Sequence, residues 1–146
     1  MVDDLKTGTY GVDHIGLSVR DLASTRDFFC DCLGWRIVGE RPEYPAVFVS
    51  DGHDVVTLWQ VQSPGDAIPF DRRANVGLHH LALAVVDQAG LDTLYKRVSN
   101  WPGVVVEFSP ERSGAGPKIH FIVREPSGVR IEFAFDPRLE EARKAQ

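Results

Sequence analysis

A histidine opens each of two matching stretches of this chain, and the match limits what the chain can fold into. His14-Ile-Gly-Leu-Ser-Val-Arg-Asp21 is answered 66 positions later by His80-Leu-Ala-Leu-Ala-Val-Val-Asp87. The same offset pairs Phe28 with Leu94, Phe29 with Tyr95 and Trp35 with Trp101, a gapless correspondence of 22 residues. Each copy is one supersecondary unit, too small to close a core alone, so the two must pack together. Histidine fills 5 of 146 positions, and two at one repeat position are more than coincidence. A duplicated unit with an imidazole at the same point in each copy is a natural way to build a metal site between the copies.

The local patterns give the order of elements. From Val12 to Val19 apolar and polar positions alternate, which predicts a strand with Val12, His14, Gly16 and Ser18 on one face. Asp21 then caps a helix from about Leu22 to Leu33, with Phe28, Phe29, Cys32 and Leu33 as its apolar stripe and Gly34 as its stop. Strands follow near Trp35–Val38, Ala46–Val49 and Val55–Val61, separated by Pro42/Pro45 and Asp51-Gly52 turns. Residues 63–75 are turn-rich and charged and read as a linker. The order then repeats: a strand from His80 to Val85, a helix from about Ala89 to Ser99, and strands near Val104–Phe108, Ile119–Val123 and Arg130–Phe135. This predicts an α+β fold of one domain over 1–146. Two βαβββ modules, about 10–62 and 76–137, form one curved mixed sheet or cleft, with a polar tail, 138–146, as a short exposed helix. Residues 1–9 read as a loose lead-in.

Composition excludes some functions. No apolar run approaches the ~20 residues that span a bilayer. Acids stand at the N-terminus where a secretory signal would carry bases, which leads us to expect a cytoplasmic protein without membrane contact. A net charge of −5 argues against nucleic acid as a partner, because no Lys/Arg cluster would repay phosphate contacts. It leaves room for a small anion held by a few local cations. Cys30 and Cys32 stand two apart in a helix, on different sides, so a mutual disulfide is not expected. Two partly buried thiols are.

The candidate chemistry centres on His14, His80 and Glu132. Glu132 lies between Ile131 and Phe133, so it shares a strand face with Arg130 and Ala134. A glutamate so bracketed either faces solvent or is held inside by a partner, and two histidines awaiting a negative co-ligand favour a site. Aligning the glycine turns puts Val56 opposite Glu132. Gln60 shares the face of Val56 and Leu58 and is either a fourth donor or a polar residue at the strand end. Two imidazoles, a carboxylate and an amide oxygen suit Mn, Fe, Co, Ni or Zn with open positions, hence catalysis. His79 should point away from His80, and His53 sits in an exposed turn. The face of His120 is not fixed by sequence; it is either a cleft residue or a core histidine. Phe48, Trp59, Phe70 and Phe121 either line an apolar substrate pocket or belong to the core. The Ser113–Lys118 loop is glycine-rich and basic but lacks phosphate-loop spacing.

Three segments carry a resemblance: Val12-Asp-His-Ile-Gly-Leu-Ser-Val-Arg-Asp-Leu…Phe28-Phe…Leu33-Gly-Trp35, Gly77-Leu-His-His-Leu-Ala-Leu-Ala-Val85, and Phe121-Ile-Val-Arg-Glu-Pro-Ser-Gly-Val-Arg-Ile-Glu-Phe133. Together they resemble the vicinal oxygen chelate superfamily: glyoxalase I, methylmalonyl-CoA epimerase, extradiol dioxygenases, and the fosfomycin and bleomycin resistance proteins. The resemblance implies metal ligands at His14, His80 and Glu132, with Gln60 as the fourth in the glyoxalase and epimerase branches. It implies a divalent metal ion, a homodimer and a small-molecule substrate. The activity it implies is that of a lyase or isomerase acting through an enediolate or enolate, with Glu132 as catalytic base. Two alternatives stand beside it: an Fe(II) extradiol-type dioxygenase and a metal-free drug-binding protein.

Overall fold

The computed structural model describes residues 7–145. The acidic start of the chain, most of the expected lead-in and Gln146 lie outside them. The first repeat forms β1 (Ile15–Val19), α1 (Leu22–Asp27), β2 (Arg36–Arg41), β3 (Ala46–Ser50) and β4 (Val55–Gln60). The second forms β5 (Leu81–Ala84), α2 (Gln88–Ser99), β6 (Val105–Arg112), β7 (Ile119–Arg124) and β8 (Arg130–Phe135), followed by α3 (Pro137–Lys144). The α+β class and its two βαβββ units are as the sequence predicts.

Each unit makes a four-stranded sheet, ordered β1-β4-β3-β2 and β5-β8-β7-β6, and no ladder joins the two. The first and last strands of each unit pair in parallel while the rest are antiparallel. The repeat extends to the helix caps. The Asp21 carboxylate accepts the Ser24 N–H at 3.2 Å, and that of Asp87 accepts the Gly90 N–H at 2.6 Å, each satisfying one orphan donor of a first turn. After α1 the helix widens into a π-helical turn, Phe28–Cys32, that buries Phe28, Phe29 and Cys32. Gly34, at φ +80°, ends it in a left-handed conformation that only glycine adopts freely. Cys30 and Cys32 are free thiols, and burial pushes both up from their ordinary pKa. Among the described residues no helix is long and apolar enough to cross a membrane.

One core serves both units. Leu17, Val19, Phe28, Phe29, Val56 and Leu58 of the first join Leu81, Leu91, Val98, Phe121, Ile131 and Phe133 of the second in a single buried cluster. Phe121 is fully buried, stacked on Phe133 at 4.8 Å and edge-on to Tyr95 at 5.1 Å. It is a packing residue, which corrects its expected role in substrate binding. Phe121→Ala should therefore cost about 3–5 kcal/mol in denaturant unfolding. Ligand affinity per folded molecule should stay the same.

A polar clamp reinforces the joint between repeats. Glu125, 1% exposed, accepts the Ser127 and Val129 N–H groups at 2.9 and 3.0 Å and the Thr25 hydroxyl of α1 at 2.7 Å. The Ser127 hydroxyl donates back to Thr25 Oγ1 at 2.8 Å and accepts the Asp21 N–H at 3.2 Å. The β7–β8 turn of one repeat is thereby tied to the first helix of the other.

Candidate functional site

Strand alternation sends Leu17, Val19, Val56 and Leu58 into the core, so Gly16, Ser18, Thr57 and Trp59 occupy the far face of the first sheet. Gly16 and Thr57 are ladder partners, as are Thr57 and Phe48. A Cβ on Gly16 would come within 3.3 Å of Thr57 Oγ1, so the glycine permits this close approach. Trp59 donates its ring N–H to Thr57 Oγ1 at 2.8 Å and meets Tyr44 and Phe48 at 4.7 and 5.5 Å between centroids. Phe48 and Trp59 thus lie together on an open, partly exposed face. His14 stands one residue ahead of β1 with its side chain 53% exposed, and its Nδ1 faces the Asp13 carboxylate at 2.7 Å. That partner holds the ring proton on Nδ1 and leaves the Nε2 lone pair free.

The second sheet repeats the arrangement with one change. Ala82 pairs with Glu132 as Gly16 pairs with Thr57, so Thr57 and not Val56 is the counterpart of Glu132. The glycine-turn alignment errs by one residue, and in a strand one residue is the difference between faces. Gln60 falls on the core face with Val56 and Leu58, where its Oε1 accepts the Leu22 N–H at 3.2 Å. It caps the start of α1, which corrects its expected place among the metal ligands.

Glu132 is 6% exposed and lies between two histidines. His120 of β7 shares its face, and its Nδ1 bonds Glu132 Oε1 directly. His120 therefore grips the carboxylate, a tighter role than the substrate contact expected of it. His80, one residue ahead of β5, places Nε2 3.4 Å from Glu132 Oε2.

The tautomer of His80 follows from its neighbours. An arginine only donates, and Arg130 Nη1 lies 3.1 Å from His79 Nδ1, so that nitrogen accepts. His80 Nδ1, 2.7 Å from the same atom, must then donate to it. Partial desolvation and the Arg130 guanidinium hold His79 below its ordinary pKa, in keeping with an accepting ring. His80 thus turns Nε2 toward a carboxylate oxygen. Two lone pairs facing each other repel unless a proton or a cation lies between them. The donor set fits a divalent ion of the Mn-to-Zn series.

Sequence reasoning missed His79, which was expected to point away from His80 but has its ring 5.0 Å from that of His80. It also missed the partners of Arg130, which forms a two-pronged pair with Glu107 at 2.9 and 2.8 Å and donates to the His79 carbonyl at 3.0 Å. His53 is exposed in its turn, as expected. Among the described residues no three His, Cys, Asp or Glu side chains converge where an ion could sit. The single chain therefore holds His14 apart from His80 and Glu132, on a different sheet.

The chain belongs to the Glyoxalase/Bleomycin resistance protein/Dioxygenase superfamily, whose family model matches residues 11–133 and so spans both repeats. Solved structures show the same fold. A lactoylglutathione lyase from Agrobacterium tumefaciens is similar over 87% of this chain and 94% of its own, at 24% identity and a TM-score of 0.66. A glyoxylase/bleomycin resistance protein/dioxygenase domain from Frankia sp. EAN1pec matches over 87% and 92%, at 21% identity and 0.73. The genomically encoded fosfomycin resistance protein FosX from Listeria monocytogenes matches over 90% and 98%, at 17% and 0.69. No curated protein matches the chain.

Proposed function

We propose that the protein is a divalent-metal-dependent lyase or isomerase acting on a small carbonyl substrate. His80 and Glu132 of one chain hold the ion together with His14 of a second copy in a homodimer. The observation that carries this reading is His80 Nε2 facing Glu132 Oε2 from 3.4 Å, with His14 oriented by Asp13 on the other sheet. The ion, when bound, would polarise a substrate oxygen and gather the charge that develops there. Glu132 is the base of this reading: it takes a proton from the carbon beside the carbonyl and returns it, while His120 steadies its other oxygen. Thr57 accepts a hydrogen bond from Trp59 on the opposing half of the site and offers no carboxylate. That absence of a second acid favours, as a second reading, a dioxygenase with two histidines and one carboxylate around iron.

Mixing two defective variants tests both the ligands and the assembly. His14→Ala and Glu132→Gln should each lose the bound ion, measured by metal analysis after dialysis. Exchange of subunits between them should restore about a quarter of the sites, since half the dimers are then mixed and each of those has one intact site. Recovery of no sites, with either variant retaining its metal, would refute the shared centre. Oxygen uptake during turnover would select the dioxygenase.

A further inference from the structure

We propose that the second sheet carries an anion subsite, formed by Arg72 and Arg124, that grips a carboxylate or phosphate on the substrate beyond Glu132. The inference rests on the proposed reading only for the word substrate; the subsite itself is independent of any metal.

Arg124 and Arg130 are direct ladder partners at the ends of β7 and β8, on the face that Glu132 shares. Like charges placed opposite each other destabilise a sheet, and here Glu107 stands between them. Its carboxylate is fully engaged by Arg130. The other two cations are left over: Arg124 Nε and Arg72 Nη1 each lie 3.9 Å from Glu107 Oε1, outside hydrogen-bonding distance. Neither guanidinium donates a hydrogen bond to a described residue, and their side chains are 51% and 38% exposed.

These groups, with Phe70 and Asp71, line a cavity of about 680 Å³. The stretch expected to be a mere linker therefore folds against the second sheet and contributes Arg72. Three guanidiniums meet two carboxylates there, a local positive surplus in a chain of net charge −5. Arg130 is two residues from Glu132 along β8, roughly 7 Å. One small molecule can reach both the carboxylate and the spare guanidiniums, whose planar forks suit anionic oxygens.

Inorganic phosphate and malonate, titrated calorimetrically into chelator-treated wild-type protein at low salt, are the probes. Millimolar or tighter binding is expected for at least one. Arg72→Gln and Arg124→Gln should each weaken it at least tenfold, and the double variant should abolish it. Added salt should weaken it. Preference for phosphate or for malonate tells which anion the subsite serves. Failure of both probes to bind, or binding that survives the double substitution, would overturn the subsite. Metal uptake by the wild-type protein is read separately: normal uptake without anion binding leaves the metal centre standing, and anion binding without metal uptake leaves only the subsite.

Discussion

Glu132→Gln should abolish metal binding and lower turnover by on the order of 10²–10⁴ while leaving the fold intact. Glutamine fills the same volume. Its Oε1 can still accept from His120 Nδ1, and its amide nitrogen takes the place of the carboxylate oxygen 3.4 Å from His80 Nε2. The substitution keeps the volume and the His120 hydrogen bond in a buried setting, so thermal stability should change little. A loss of the ion and of turnover with little change in Tm is what distinguishes a ligand from a structural acid. The proposal fails if the variant unfolds early but keeps its ion and its turnover.

Glu125→Ala should be strongly destabilising. Removing that carboxylate leaves two backbone N–H groups and the Thr25 hydroxyl without their acceptor in the buried joint between repeats. A cost of about 3 kcal/mol follows, read as a fall in Tm of roughly 6–12 °C. Glu125→Gln keeps an acceptor for both N–H groups, and the Thr25 hydroxyl can reverse to meet the new amide, so the loss should be about 1 kcal/mol or less.

The pair also predicts a pH effect. Desolvation pushes the Glu125 carboxyl up from its ordinary 4.5, against the opposing pull of its hydrogen bonds from Thr25, Ser127 and Val129. The folded state thus binds this proton more tightly than the unfolded chain does. The stabilisation is fully present below about 4.5 and is lost as pH rises through the folded value. Wild-type protein should gain stability from this group on mild acidification, and Glu125→Gln should flatten that gain. Identical pH profiles for the two would rule out Glu125 as the titrating group.

Much of this was legible in the residues because duplication wrote the fold twice. The Asp21 and Asp87 caps, the histidines ahead of β1 and β5, and the order of elements along both units could be read by aligning one copy with the other. The errors came where period-2 arithmetic must be exact. A one-residue misalignment across unequal turns put Val56 where Thr57 stands, and it gave Gln60 a ligand's role when its face packs on the core. Phe121 shows a related limit, since an aromatic in a central strand belongs to the core or the pocket according to a face that composition does not reveal. Contacts between distant segments had no local signal at all. Nothing near Arg72 announces that it returns to β6 and β7, and nothing near Thr25 announces Glu125, 100 positions away.

The asymmetry between Thr57 and Glu132 decides an electrostatic balance. Had both strands carried an acid, two negative ligands would have cancelled a dication outright. With a neutral hydroxyl on one side, the proposed shared site would supply a single negative charge and leave a bound dication a net charge of about +1. Such a site would favour partners that arrive already deprotonated.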